Sequence, residues 1–260
     1  MLYGIIITTI LLGLIGCLIA LLLNFAGDKF YVKVNENTEK VRELLPGNNC
    51  GGCGYAGCDS LAEAIAEGKA SPNSCPVTSN KAEIAALVGS SDVESIKKVA
   101  FVHCVGDCEK TTKVGEYSGA RDCLSAKSVQ GNGGKACLNG CLGFGTCVSV
   151  CKFDALHIIN GIAVVDKEAC VGCGACTRVC PNNLIELIPY DATYKVACSS
   201  QDKGAIVKKA CTVGCLGCTL CVKQCPNEAI SMQGNVPRID HEKCNSCGAC
   251  AEKCPVKIIK

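Results

Sequence analysis

Cysteines at fixed short intervals dominate the chemistry this chain can do. Cys170, Cys173, Cys176 and Cys180 precede Pro181 in a C-x2-C-x2-C-x3-C-P run. The pattern recurs with Cys215, Cys218, Cys221 and Cys225 before Pro226, and with Cys244, Cys247, Cys250 and Cys254 before Pro255. Three thiolates at that spacing suit three corners of a cubane iron–sulfur cluster, and the fourth cysteine reaches the neighbouring cluster where two are paired. Zinc and disulfides are the competing uses. Close C-x2-C pairs do not readily bridge to one another, and repetition of the full run favours iron over a structural zinc site. With 26 cysteines in 260 residues, clusters are the main chemistry encoded, and they imply a reducing compartment.

A further block has different spacing. PGNNCGGCGYAGC supplies Cys50, Cys53 and Cys58, and Cys75 follows before Pro76. Gly51, Gly52, Gly54 and Gly57 let the backbone approach a cluster and offer its amides to sulfur. The four cysteines are expected to hold one 4Fe–4S cluster, with a four-thiolate zinc site as the alternative. Residues 34–45 predict a helix ending at Pro46 and Gly47. Leu61, Ala62, Ile65 and Ala66 predict a helix over 59–67. Residues 80–88 predict another, with Gly89, Ser90 and Ser91 as a linker.

An internal duplication organises the remainder. GKACLNGCLGFGTCVSVCKFDALHI (134–158) matches KKACTVGCLGCTLCVKQCPNEAISM (208–232), and each copy leads through an apolar, strand-like segment into a second cysteine run. Crossed ligation then groups Cys215, Cys218 and Cys221 with Cys254, and Cys244, Cys247 and Cys250 with Cys225. In the first copy, Cys170, Cys173 and Cys176 group with Cys151. Cys141, Cys147 and Cys180 are left one thiolate short, because Phe144 stands where Cys218 does. Cys137 is the expected replacement; a 3Fe–4S cluster or another ligand are the alternatives, and Cys211 occupies the matching place in the later copy. Cys104, Cys108, Cys123, Cys198 and Cys211 remain unassigned, and a further cluster is expected from Cys104, Cys108 and Cys123 with a remote cysteine. At least five clusters are therefore expected, and six if this one forms. His103 reads as a hydrogen-bonding surface residue, with cluster ligation as the alternative. His157 and His241 read as ordinary surface residues. Ile158, Ile230 and Ile239 are expected to pack around clusters, and Pro181, Pro226 and Pro255 to shape the chain after its ligands.

The elements that position these residues begin with an apolar stretch. Residues 3–23 carry no charge, and about 20 such residues span a bilayer core. No basic segment precedes it, so a retained single-span anchor is expected rather than a signal peptide. Gly13, Gly16 and Cys17 offer a small-residue face to partner helices. Lys29 and Lys33 follow the span with no cation before it, which places the cluster domains on the cytoplasmic side. The expected division is an anchor over 1–27, a four-cysteine cluster domain over 28–90, a first ferredoxin-like unit with a cysteine-rich extension over 91–194, and a second over 195–260. The fold class is α+β: one transmembrane helix, a small four-iron domain and tandem two-cluster units.

Composition limits what else the chain can be. Aromatics make up 4% and Trp is absent, so no single large core is expected. The bare polypeptide carries +2, but five clusters at roughly −2 each bring the assembled protein to about −8, which argues against nucleic acid as a partner because phosphate binding needs a basic surface. There is no G-x-G-x-x-G unit after a strand and no P-loop. GNGG at 131–134 reads as a turn.

The apolar N-terminus, CGGCGYAGC, FVHCVGDC, DCLSAKSVQGNGGKAC, GCLGFGTC and ACVGCGACTRVCP together resemble the B subunit of the Rnf complex over nearly the whole chain. The first block alone is also similar to the four-iron domain of corrinoid iron–sulfur proteins. The resemblance implies a subunit of a prokaryotic cytoplasmic-membrane complex that couples electron transfer between reduced ferredoxin and NAD to sodium or proton movement. It implies soluble ferredoxin as electron donor, and other membrane, flavin- or NAD-binding subunits as partners. The alternative is an iron–sulfur relay subunit of another membrane oxidoreductase, such as a hydrogenase.

Overall fold

The structure, a computed structural model, describes residues 2–29, 36–90, 96–129 and 131–260. Lys33, the start of the helix expected from residue 34, Ser91 of the expected linker and residues 92–95 lie outside the described residues. Helix α1, Leu2–Lys29, is a single run of 28 residues. At 1.5 Å per residue it extends about 42 Å, beyond the roughly 30 Å of a bilayer's hydrocarbon core. Its Tyr3–Ala26 stretch has mean hydropathy 2.9 and buries none of that surface against the rest of the chain. The helix is long and apolar enough to cross a membrane, and its side chains need a nonpolar environment that this chain does not provide.

A small helical unit follows, made of α2 (Glu36–Leu44), α3 (Cys58–Ala66) and α4 (Lys81–Val88). Each is short because its boundaries are written into the sequence. Pro46 cannot continue α2. Gly89, at φ 67°, takes the left-handed cap of α4 and donates its N–H to Ala85 O. Val41, Leu61, Ile65 and Ile84 are fully buried at the centre, with Cys58 and Cys75 buried beside them. Thr78 Oγ1 donates to Leu44 O at 3.0 Å, and Arg42 pairs with Asp59, tying α2 to the loop and helix that carry the cysteines.

The duplicated sequence folds twice into the same arrangement. In the first repeat, β1 (Lys98–Val102) is followed by α5 (Cys123–Ser128), α6 (Thr146–Ser149), the hairpin β2 (Leu156–Ile159) and β3 (Ile162–Val165), α7 (Ala175–Val179), and β4 (Ile185–Pro189). β1 pairs antiparallel with β4 from Lys98↔Pro189 to Val102↔Ile185, so the repeat closes on itself. The second repeat has α8 (Gly204–Ala210), α9 (Leu220–Lys223), the hairpin β5 (Ile230–Gln233) and β6 (Val236–Ile239), and α10 (Ala249–Glu252). Its closing pair is reduced to the bridge Val196↔Ile259, flanked by Lys195 N–H to Lys260 O at 2.7 Å and its reciprocal at 3.0 Å. The β2–β3 hairpin turns at Asn160 and Gly161, whose φ of 48° and 76° match the primed turn that suits twisted strands.

Each repeat builds its core around sulfur. Leu156, Ala163, Leu184 and Ile188 are buried with Cys141, Cys147, Cys170 and Cys176; Val196, Ile230, Val236 and Ile258 are buried with Cys215, Cys221, Cys250 and Cys254. Ile230 is buried and Ile239 packs against the second core as expected. Ile158 does not: it is 37% exposed, and Leu156 is the one buried residue of its strand.

Candidate metal centres

The cysteine loops share one backbone signature. Gly172 and Gly174 take φ of 70° and 72° on either side of Cys173. Gly217 and Thr219 flank Cys218 at 66° and 59°, and Ser246 and Gly248 flank Cys247 at 57° and 80°. Gly143 and Gly145 do the same around Phe144, at 79° and 78°. A left-handed threonine or serine costs about 1–2 kcal/mol, so the turn is retained in these loops even without glycine. At Gly172 no substitute fits, because a Cβ would lie 2.3 Å from Lys98 O on β1. The third residue after each closing cysteine, Asp154, Asn183, Glu228 and Lys257, is also left-handed at 49–50°. Backbone amides point at sulfur: Ala100 N–H donates to Cys170 Sγ at 3.3 Å, Leu184 N–H to Cys180 Sγ at 3.4 Å, and Ala163 N–H to Cys141 Sγ at 3.4 Å. Such donors favour the thiolate form that metals need.

Most groupings follow the crossed pattern. Cys215, Cys218, Cys221 and Cys254 line one cavity. Cys250 has Cys244 and Cys225 as neighbours, and Cys247 lies in the same loop. Cys173 and Cys176 both have Cys151 and Cys170 as neighbours. In the helical unit Cys75 neighbours Cys53 and Cys50, and Cys53 and Cys58 pack in the same core with it.

The altered site departs from expectation. Cys123, Cys141, Cys147 and Cys180 line a single cavity, and Cys137 lines a different one. Helix α5 carries Cys123 there. Asp122 caps the helix by accepting from Ser125 N–H at 2.8 Å, and Cys123 N–H donates to Thr146 Oγ1 at 2.8 Å, next to Cys147. Phe144 stacks edge-on against Tyr117 at 5.1 Å between ring centroids, and the two rings pack beside Cys123, Ala126 and Leu142.

The remaining expectations also change. Cys137 lines a different cavity together with Cys104, Cys198 and Cys211. Cys104, Cys108 and Cys123 are not brought together: Cys104 and Cys123 line separate cavities, and Cys108 is exposed and lines neither. His103 is buried rather than on the surface. Its Nδ1 lies 2.7 Å from Val196 O and its Nε2 2.8 Å from Glu186 Oε2, so both ring nitrogens are occupied and neither is free to ligate. Its hydrogen bond holds the Glu186 carboxyl below the usual range. His157 is exposed, but His241 is half-buried and burial pushes its pKa down.

Burial raises the thiols. Desolvation pushes Cys104 and Cys147 up to about 12, and Cys176 and Cys215 up to about 11. Without a bound cation these groups are neutral, and a metal entering the cavity displaces their protons. Among the described residues no three His, Cys, Asp or Glu side chains converge as ligands of one ion would. Zinc needs its sulfurs about 2.3 Å from a single centre, whereas thiols spread around a cavity suit a polynuclear iron–sulfur core.

The thiol groups also succeed one another in space. A Cβ on Gly52 would lie 2.6 Å from Cys173 O, and Lys152 Nζ donates to Asn48 O at 2.9 Å, so the Cys50 loop abuts the Cys170 loop. Cys147 has Cys176 among its neighbours. Cys141 N–H donates to Cys104 Sγ at 3.3 Å, and Cys215 N–H to Cys198 Sγ at 3.4 Å. Cys221 and Cys250 share the core of the second repeat.

Comparison with known proteins agrees with this architecture. Residues 45–77 match a family described as an Fe-S cluster, residues 163–186 a 4Fe-4S binding domain, and residues 214–258 a 4Fe-4S dicluster domain. The chain is 41% identical to the B subunit of the Na(+)-translocating ferredoxin:NAD(+) oxidoreductase complex of Acetobacterium woodii, over 100% of this chain and 78% of that one. It is 44% identical to the B subunit of the proton-translocating ferredoxin:NAD(+) oxidoreductase complex of Clostridium ljungdahlii, over 98% and 92%. It is 41% identical to the B subunit of the ion-translocating oxidoreductase complex of Methanosarcina acetivorans, over 96% of each. The chain belongs to the B-subunit family of ion-translocating ferredoxin:NAD(+) oxidoreductase complexes.

Proposed function

We propose that this chain is the iron–sulfur electron relay of such a complex, accepting electrons from soluble reduced ferredoxin and delivering them to partner subunits in the membrane. The observation that carries the proposal is the succession of cysteine groups from the Cys50 block to the Cys244 block. 4Fe–4S clusters, when bound, supply reversible one-electron chemistry. The chain's own residues fix where that chemistry sits. In this reading Cys50, Cys53, Cys58 and Cys75 hold one cluster in a domain over 28–90. The units over 91–194 and 195–260 are tandem two-cluster ferredoxin-like units. Cys151, Cys170, Cys173 and Cys176 hold one cluster of the first; Cys123, Cys141, Cys147 and Cys180 hold the other. Cys215, Cys218, Cys221 and Cys254, with Cys225, Cys244, Cys247 and Cys250, serve the second unit.

Residues 1–27 anchor the chain in the cytoplasmic (inner) membrane, with the cysteine domains on the cytoplasmic side where Lys29 follows the span. Tyr3–Ala26 contains no charged residue and offers no ion path by itself, so sodium or proton movement belongs to other subunits. Those subunits also supply the flavin and nicotinamide sites. The exposed Cys218 and Cys247 loops make the second unit the face for ferredoxin. Deleting residues 1–27 tests the arrangement: the released domain stays reducible by ferredoxin, but membranes carrying the truncated chain lose ferredoxin-driven NAD reduction. Undiminished NAD reduction in those membranes contradicts it.

A further inference from the structure

The cavity between the two repeats is built from both of them in equal parts. Alignment of the repeats places Cys104 opposite Cys198, two residues after the end of β1 at Val102 and two after the bridging Val196, and Cys137 opposite Cys211, each four residues before a cluster-loop cysteine. The equivalence holds in the hydrogen bonds. Cys104 Sγ accepts from Cys141 N–H at 3.3 Å, and Cys198 Sγ accepts from Cys215 N–H at 3.4 Å. All four cysteines line one cavity. A Cβ on Gly106 would sit 3.1 Å from Cys211 Sγ and 3.9 Å from Cys104 Sγ, so one sulfur from each repeat flanks the same point. Cys137 lines the same wall as Asn139 and Gly140, facing the cavity that Cys198 and Cys211 enter from the second repeat.

The walls hold the two repeats together. Thr111 bridges to Cys211, Thr112 N–H donates to Ala210 O at 2.9 Å, and Thr212 N–H to Lys110 O at 2.9 Å. His103, from the first repeat, reaches Val196 O at the entry to the second. The cavity is therefore a two-fold pseudosymmetric junction rather than part of either unit.

We propose that Cys104, Cys137, Cys198 and Cys211 hold a sixth 4Fe–4S cluster shared between the repeats, which makes the two cysteine-rich halves one continuous path. The proposal rests on the relay reading above. Neither half can supply the site alone, since each contributes two thiols. The site also completes an account of the cysteines: only Cys17 and Cys108, both exposed, stand outside the six groups of four. Its position accounts for the gap in the succession as well. The first repeat's last site is reached through Cys141 and the second repeat's first through Cys215, and Cys104 and Cys198 are the residues whose sulfurs those two amides touch.

The test is metal content of the full-length chain purified anaerobically in its complex. Cys198→Ser and Cys137→Ser, from opposite repeats, should each lower iron and acid-labile sulfide by about four atoms per chain relative to the parent. Each should remove the same component from the low-temperature EPR spectrum of the reduced protein and leave the others in place. Cys108→Ser, outside the cavity, should change neither count. Unchanged iron in both cavity variants overturns the shared cluster, and so does loss of one zinc instead of iron. Loss of different EPR components from the two variants also overturns it. A parent chain without clusters sinks the relay reading itself and is distinguishable from these results.

Discussion

A thiol's role is set by where its backbone places it. Phe144 occupies the middle position of a cluster loop whose φ signature is intact, so the fold is kept while one ligand is lost. In the proposed assignment Cys123 replaces that ligand from a segment of the first repeat that the second lacks: Cys104 and Cys137 are 33 positions apart, Cys198 and Cys211 only 13. Cys123→Ala should therefore remove or convert one cluster, seen as loss of one EPR component or appearance of a 3Fe–4S signal, with the second unit's signals unchanged. An unchanged spectrum would return Cys123 to the status of an inert buried thiol. Lys135 is a cation beside this region. Its Nζ donates to Cys141 O at 2.8 Å and Gly161 O at 2.7 Å, and it also lines the cavity between the repeats. A positive charge there favours the reduced, more negative state of nearby centres. Lys135→Met should lower the potential of the adjacent centres by on the order of tens of millivolts, measured by EPR-monitored titration. The three repeated runs were legible because ligand spacing is a local property. The cavity groupings of Cys123 and of Cys104, Cys137, Cys198 and Cys211 were not legible, because they are fixed by tertiary contacts. A signal was present: the extra cysteines Cys104 and Cys137 recur in register as Cys198 and Cys211, and a duplicated unligated pair points to a site shared by the copies.

At the scale of elements, the repeats rely on short strands and turns, with the cysteine loops supplying much of the apolar interior. Hairpins and helix boundaries were readable from Asn160, Gly161, Pro46 and Gly89, whose backbone preferences are intrinsic. The β1–β4 pairing spans most of the first repeat in sequence and emerges only when the chain closes. Glu186 on β4 links this pair to the second repeat through His103, and it faces Arg238 and His241 as well. Its folded pKa is depressed, chiefly by the His103 hydrogen bond. The stabilisation is thus complete above the ordinary value of 4.5 and is lost as pH falls through the lower folded value. Glu186→Gln should reduce the unfolding midpoint at neutral pH and flatten its decline below that value, as followed by denaturant titration with the clusters retained. An identical pH profile in the variant would assign the His103 link no role in docking.

Across the whole molecule, a membrane-competent helix precedes a series of cysteine sites that run from a small helical unit through two repeats. The sequence carries no strand–GxGxxG–helix motif for a nicotinamide, and the related chains are subunits of larger complexes. Length, charge and the first 27 residues made this division legible, since a chain with one apolar span and a tenth of its residues cysteine has little else to contribute. The succession of sites was not legible, because adjacency between loops such as Cys50 to Cys173 depends on packing between separately encoded units. The central claim is that these sites form a ferredoxin-fed relay. Anaerobic titration of the full-length chain with reduced ferredoxin, followed by visible bleaching and EPR, tests it most directly. The account predicts uptake of several electrons per chain, up to about six if every site holds one 4Fe–4S cluster. No bleaching by ferredoxin, in a chain that a chemical reductant of the same potential reduces, would contradict it.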